Sequence, residues 1–201
     1  MNSAEQPKHT GLTTRYSLIA SLQQDAKSDS WEVFTATYKH YIYSVLKGMS
    51  LPPSDSDDLC QKVLLRVWKG IDKFQNRDDK RSFRPWLVAV IRNEVRTFWR
   101  ESTRKQKQFD ASLEDPSSIE AEIDIQAEKE WKIFIAQKAW ENLKPSFNEK
   151  VVQVFEALSE GADPADLAKQ MALERNTIYV YRKRVLQKLY REIRRLEDEL
   201  S

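Results

Sequence analysis

The chain has 201 residues, a length that suits one or two small globular domains. Charged residues make up 32% of it, yet 33 Lys+Arg nearly cancel 31 Asp+Glu, so any electrostatic function must come from charge distribution. Because Cys60 is the single cysteine, an internal disulfide and a cysteine-based metal cluster are excluded. The sequence contains no phosphate-binding glycine pattern, no signal peptide and no stretch of about 20 uncharged apolar residues. We therefore expect a cytoplasmic protein without a cofactor.

Helical periodicity dominates the first half of the chain. Apolar residues recur at three- and four-residue intervals between Arg15 and Met49. The stretch LPPSDSDD interrupts this pattern, since proline is excluded from helix interiors and Ser and Asp favour helix starts, and a new helix is predicted from Leu59. After a polar loop over residues 74–82, a third helix is predicted from Phe83 to Arg104.

Charge is segregated along the chain. Residues 62–107 carry a formal net charge of +9, and residues 108–130 carry −7. Four arginines in the third helix lie four residues apart and form one stripe with no interleaved acid, so they repel one another unless a polyanion offsets the charge. A solvated helix face is the ordinary alternative. The four arginines are Arg92, Arg96, Arg100 and Arg104.

The acidic block separates two helical regions. It mixes Pro, Ser and acidic residues, with little helical periodicity in its first half, which is typical of a linker. The predicted fold is all-α, with two small helical domains joined by a flexible acidic linker. The predicted parts are a disordered tail over 1–15, a helical domain over 16–104, the linker over 105–126 and a second helical domain over 127–201.

The C-terminal region has the pattern of a helix-turn-helix. Gly161 can end one helix, and Asp163 with Pro164 predicts the start of a short helix over Ala165–Met171. After a turn, a long basic helix is predicted to begin near Asn176 or Thr177, in the position of a helix that enters the DNA major groove. The residues predicted to approach base edges or phosphates are Arg175, Asn176, Thr177, Tyr179, Arg182, Lys183 and Lys188.

Longer strings in the chain resemble a known family. DSDDLCQKVLLRVWKGIDKF and RSFRPWLVAVIRNEV are similar to regions two-point-two through two-point-four of bacterial RNA polymerase sigma factors of the extracytoplasmic-function type. The string LKPSFNEKVVQVFEALSEGADPADLAKQMALERNTIYVYRKRVLQKL resembles their region four. With a weaker likeness near SWEVFTATYKHYIYSVLKGMSL, the resemblance covers residues 16–195.

The resemblance implies two contacts with core polymerase. The DDLxQ helix of the family docks on the clamp helices of the largest subunit, and region four binds the flap of the second-largest subunit. Residues at three- and four-residue spacing would share the docking face, although Lys62 stands where most members have an acid. The implied polymerase-binding residues are Asp58, Gln61, Lys62 and Leu65.

The resemblance also implies that promoter DNA is bound at two elements. The loop over 74–82 and the helix after it would capture the non-template strand of the minus-ten element, and the helix-turn-helix would read the minus-thirty-five element. Trp86 and Trp99 are expected to belong to the core rather than to stack on DNA. The implied minus-ten residues are Phe74, Asn76, Arg77, Lys80, Arg81, Arg92, Asn93, Arg96 and Arg100.

Other functions remain open from the sequence. A helix-turn-helix regulator that is not a sigma subunit would explain residues 145–195 but not the first hundred residues. A nuclease or recombinase would need a carboxylate cluster, and an acidic trio ending at Asp58 is explained by helix capping, so no enzymatic activity is expected. An adaptor that binds polymerase without reading promoters is a third possibility. The free protein is expected to be a monomer, and an anti-sigma protein is a further partner that the resemblance allows.

Overall fold

The computed structural model describes residues 15–24, 29–49, 51, 53–74, 83–106 and 116–200. The regular structure in these ranges is helical, which confirms the predicted all-α class. The chain divides into two compact units, of which the second is Lys129–Asp198 and the first is the remainder. The α-helices of the described ranges are α1 (Arg15–Gln24), α2 (Asp29–Lys47), α3 (Pro53–Gly70), α4 (Phe83–Gln106), α5 (Pro116–Leu143), α6 (Glu149–Ser159), α7 (Pro164–Gln170) and α8 (Arg175–Leu200).

The first unit is built around one apolar core shared by α2, α3 and α4. Each helix contributes a stripe at three- and four-residue spacing, as the sequence predicts. At the α1 end, the side-chain amide of Gln23 donates hydrogen bonds to the carbonyls of Ile71 (2.9 Å) and Phe74 (2.6 Å). The fully buried core residues include Phe34, Ile42, Val45, Val63, Val67, Phe83, Leu87, Ile91 and Val95.

Helix α3 begins six residues earlier than the predicted start at Leu59. Pro53 is its first residue, where the missing backbone N–H costs nothing because the first turn has no intrahelical acceptor for it. The prediction was wrong because proline excludes helix interiors but not helix starts. Asp55 therefore lies in the first turn, and Asp57 and Asp58 lie further along the helix.

Helix α5 occupies part of the segment predicted to be a flexible linker. It begins at Pro116, so residues 116–126 are helical, whereas residues 107–115 lie outside the described residues. Ile123 and Ala127, four residues apart, are buried in the first unit. Burial of this narrow apolar stripe holds the segment helical although acidic residues surround it.

The second unit has well-defined helix starts and stops. The Asn148 side chain accepts a hydrogen bond from the Val151 N–H at the start of α6. Gly161 follows α6 with a φ of +96°, which glycine adopts without steric cost. Asp163 caps α7 as predicted, with its carboxylate accepting hydrogen bonds from the N–H groups of Ala165 (2.7 Å) and Asp166 (3.2 Å).

A small apolar cluster joins α6, α7 and α8. Val154, Leu167, Ala168 and Ile178 are buried together, and partly buried neighbours such as Tyr181 pack against them. Ala172 in the turn between α7 and α8 has a φ of 51°, so a non-glycine residue occupies the left-handed region there. After this turn, α8 begins at Arg175 and contributes Ile178 to the cluster.

Candidate nucleic-acid interface

The four residues predicted to bind polymerase lie on one exposed face of α3. Asp58, Gln61, Lys62 and Leu65 are all exposed, whereas Leu59 and Val63 on the other side of the helix are buried. Leu65 is 51% exposed, which is high for a large apolar residue and is typical of an anchor for a protein partner. The structure thus brings together the four positions that the sequence grouped.

An open groove of about 350 Å³ runs beside this face, between α3 and α4. Across it, Arg66 Nε of α3 donates to Glu94 Oε1 of α4 at 2.7 Å. Glu94 is buried, so this pair fixes one edge of the groove. Phe98 of α4 also lines the groove and was not singled out from the sequence, because its spacing is equally typical of a core position.

Phe74, predicted as a wall for a DNA base, is only 8% exposed. Its ring lies 5.8 Å from that of Phe83 and 5.2 Å from that of Trp86, between ring centroids. Trp86 and Trp99 are both half-buried, and Trp86 belongs to this aromatic cluster. Four predicted minus-ten residues lie outside the described residues, namely Asn76, Arg77, Lys80 and Arg81.

The remaining minus-ten residues lie on α4 itself. Asn93, Arg96 and Arg100 are exposed, and the Arg92 side chain is 31% exposed. We call Arg84, Arg92 and Arg96, together with Arg100, the α4 basic face. Three of these four arginines contact carboxylates of α5, which the sequence analysis did not foresee.

The carboxylates come from one row on α5, formed by Glu120, Asp124 and Glu128 at four-residue spacing, which we call the α5 acidic row. Glu128 pairs with Arg84, Asp124 pairs with Arg92, and Glu120 Oε1 lies 3.4 Å from Arg96 Nη1. The two helix segments run antiparallel along this contact, because residue numbers rise on α4 as they fall on α5. The signal in the sequence that could have predicted this contact was the four-residue spacing of the three acids, which matches the four-residue spacing of Arg92 and Arg96.

The predicted minus-thirty-five residues lie along α8. Arg175, Asn176, Tyr179, Arg182 and Lys183 are exposed, and Thr177 is half-buried. A guanidinium N–H of Arg175 donates to the Tyr179 hydroxyl at 3.2 Å, one turn later. The residues predicted for the start of α8 are therefore presented together to solvent.

Lys188 differs from the other cations of α8. Its ammonium lies 4.8 Å from the centroid of the Phe147 ring and its side chain is half-buried. Arg182, Lys183, Arg184 and Arg191, which we call the exposed α8 cations, have no carboxylate at ion-pair distance within the described part of the chain. They are available to neutralise phosphates.

Three carboxylates of the second unit have lowered pKa values. Hydrogen bonds from the backbone N–H groups of Asp166 and Ala165 lower the pKa of Asp163. The side chain of Lys144, and then that of Trp140, lower the pKa of Glu156. Glu192 has its pKa lowered by Arg195, and the Asn142 amide adds to this effect. Each carboxylate is ionised in the folded unit at neutral pH.

Comparison with known protein families finds a match in the first unit. Residues 34–105, which contain most of α2, all of α3 and nearly all of α4, match the family Sigma-70 region 2. The match agrees with the resemblance noted for this stretch of the sequence, and it covers less than half of the chain. No curated protein matches the chain.

Among solved structures, the chain is similar to CnrH, determined in complex with the cytosolic domain of CnrY. The two share 17% sequence identity over 88% of this chain and 94% of that one, with a TM-score of 0.34. A likeness at this level does not establish a common overall arrangement. None of the helices in the described ranges is both long enough and apolar enough to cross a membrane.

Proposed function

We propose that the chain is a sigma factor of the extracytoplasmic-function type, which binds core RNA polymerase and directs it to promoters with paired minus-ten and minus-thirty-five elements. The observation that carries this proposal is the region 2 match over 34–105, because it covers the α3 and α4 faces that carry the candidate contacts. A protein with this role acts in the cytoplasm.

The α3 face is the proposed site for the clamp helices of the largest polymerase subunit. Leu65 supplies an exposed apolar anchor, and Asp58, Gln61 and Lys62 surround it with polar groups. An apolar centre with a polar rim is the usual anatomy of a protein interface. The groove beside Leu65 gives a partner side chain room to enter between α3 and α4.

The α4 basic face is the proposed site for the minus-ten strand. Arg92, Arg96 and Arg100 follow one another at four-residue spacing, so they can track successive phosphates, and Asn93 offers a side-chain amide for base edges. Phe74 is buried against the rings of Phe83 and Trp86. In our proposal it belongs to the core that supports α4 and does not stack on a base.

The second unit is the proposed region four. The capped α7, the turn at Ala172 and the basic α8 have the order of a helix-turn-helix, and α7 is packed against α8 through Leu167 and Ile178. Arg175, Asn176 and Tyr179 are exposed at the start of α8, where recognition helices contact base edges. In this proposal, the unit also binds the polymerase flap.

Run-off transcription tests the proposal directly. Purified full-length protein is added to core polymerase with a library of DNA fragments, and the transcript starts are sequenced. The expected result is a set of starts preceded by two shared sequence elements at a fixed spacing. Core polymerase alone is the control, and a variant with Leu65→Asp is expected to lose the signal because docking fails.

Two outcomes would count against the proposal in different ways. Binding to core polymerase without any promoter selectivity would favour an adaptor. Duplex DNA binding without polymerase binding would favour a helix-turn-helix regulator, and sedimentation would then be expected to show a dimer.

A further inference from the structure

We propose that the α5 acidic row is an intramolecular competitor of DNA: residues 120–128 occupy the α4 basic face in the free protein and must leave it before the minus-ten strand can bind. This inference rests on the proposed role of α4 in DNA binding. It assigns a function to the ion pairs of α4 with α5 that a purely connecting segment would not have.

The first argument is that the acids occupy the predicted DNA contacts themselves. Arg92 and Arg96 were predicted to bind the minus-ten strand. Arg92 contacts the carboxylate of Asp124, and Arg96 contacts that of Glu120. A carboxylate offers a guanidinium two oxygens and one negative charge, as a phosphodiester does. An arginine that is paired in this way must give up its carboxylate before it can neutralise a phosphate, which reduces the net gain from releasing the cations condensed on the DNA.

The second argument is that the row is held in a defined register. Ile123 and Ala127 are buried, and the Tyr41 hydroxyl of α2 donates to the Ala127 carbonyl at 3.3 Å. Gly48, just after α2, also contributes to this packing. A Cβ at this position would collide with the side chain of Gln126, so the close approach of α5 requires a glycine here. The acids are therefore positioned by packing and do not meet the arginines merely by general attraction.

The third argument is that the contact is weak enough to be reversed. Side chains in the ion pairs remain open to water, with Asp124 54% and Glu128 51% exposed. Exposed ion pairs of this kind are individually weak, because water screens the attraction and two long side chains must be held in place. A DNA strand that offers several phosphates at once can displace such a row, particularly after polymerase has brought the strand close.

Arg100 gives the competition a starting point. It is exposed and belongs to no ion pair within the described residues, although it lies one turn beyond Arg96 on the same face. A strand can therefore contact Arg100 first and then replace Glu120 and Asp124 in order along α4.

The test compares full-length variants for binding to a fluorescent single-stranded oligonucleotide, measured by anisotropy. The release variant, E120Q/D124N/E128Q, removes the acidic row, and we expect it to bind about 3- to 30-fold more tightly than the wild type. The control variant, E122Q/E160Q/E197Q, makes the same change in net charge at three exposed acids without ion pairs in the described structure, and less than a twofold gain is expected.

A second pair of substitutions identifies where the gain arises. R92Q/R96Q is expected to cancel most of the gain when added to the release variant. In the wild type the same substitutions are expected to weaken binding by a smaller factor, because there each arginine must first exchange a carboxylate for a phosphate. Hydrogen exchange of the wild type is expected to quicken at residues 120–128 when the oligonucleotide binds. Faster exchange at these residues would show that DNA releases the acidic row from α4. A folding defect of the release variant would instead raise its hydrogen exchange before any DNA is added.

Equal affinity of the release variant and the wild type would overturn the inference, and so would a gain that survives R92Q/R96Q. Added protection of residues 120–128 by DNA would also overturn it. In each of these cases, run-off transcription by the wild type would still stand, so failure of this inference is distinguishable from failure of the proposed function.

Discussion

Two basic surfaces in this chain are built from the same residue types but differ in how their charge is balanced. On α4, three arginines are matched by the α5 acidic row. On α8, the exposed cations Arg182, Lys183, Arg184 and Arg191 have no such partner in the described part of the chain. A basic stripe in a sequence therefore predicts a surface that can bind anions. Whether acidic side chains of the same protein already pair with that surface depends on the rest of the chain.

This difference affects the free energy of DNA binding at the two surfaces. A vacant basic surface binds polyanions through release of condensed counterions, whereas a matched surface must first exchange one anion for another. We expect the second unit to supply most of the DNA affinity of the free protein. The first unit would add its contribution only after α5 has moved.

The largest expected effect concerns the core that presents the α4 basic face. Ile91 is fully buried on α4, and Ile91→Ala is expected to lower the free energy of unfolding by roughly 2–5 kcal/mol because it leaves a cavity. Denaturant titration followed by circular dichroism measures this change. Ile125→Ala is the control, since Ile125 is 71% exposed, and its effect should stay below about 0.5 kcal/mol.

The next effect separates polymerase binding from both DNA surfaces. Leu65→Asp is expected to weaken binding to core polymerase by about 30-fold or more, because it places a charge at the centre of the proposed α3 interface. Affinity for duplex DNA should be unchanged. Val33→Asp is the matched control, because Val33 is exposed to a similar degree (47%) on α2. Equal losses in the two variants would remove the special role of Leu65.

Salt dependence tests the comparison of the two basic surfaces itself. Removing two cations with R182Q/K183Q should reduce the slope of log K against log[salt] for duplex DNA by about 1.8, or about 0.9 per phosphate contact. R92Q/R96Q should reduce the slope by less than half as much in the free protein. If both variants lowered the slope equally, the α4 arginines would be as available as those of α8, contrary to our interpretation.

The smallest effect concerns the cap that holds α7 against α8. The folded pKa of Asp163 is depressed, so its contribution to stability is present above its unfolded pKa and is lost as pH falls through the folded value. Asp163→Asn keeps a side-chain acceptor but removes the charge. Near neutral pH, the wild type should exchange hydrogen in α7 more slowly than this variant. The difference should shrink as the pH falls below the ordinary pKa of Asp and disappear once the pH is below the folded pKa.

Asp198→Asn provides the control for this measurement. Asp198 is exposed near the end of α8, and its replacement should leave exchange in α7 unchanged at every pH. A difference between wild type and Asp163→Asn that persisted in acid would mean that the charge of Asp163 does not contribute to the cap.

Local sequence patterns predicted much of the fold. The apolar spacing of α4, the Asp163–Pro164 start of α7 and the stop at Gly161 all follow from short-range rules, and each is present in the structure. These features depend on residues within one or two turns, which is why sequence alone suffices for them.

Features that depend on distant residues were missed. The stripe of Ile123, Ala127 and Trp131 is readable at four-residue spacing, but its acidic neighbours suggested a solvated linker. Whether those acids face water or α4 depends on residues far away in the sequence, such as Arg92, which pairs with Asp124. Likewise, the aromatic cluster around Phe74 could not be distinguished from an exposed base-binding ring by local spacing.

Because Cys60 is buried, its reactivity reports on local opening of the packing around it. Burial raises the pKa of its thiol, and Asp57 adds to this, although Lys39 opposes it. A thiol that is both shielded and protonated reacts slowly with maleimides. Since the sequence has one cysteine, the alkylation rate of the unmodified protein records how often the α2–α3 packing separates, with no engineered label.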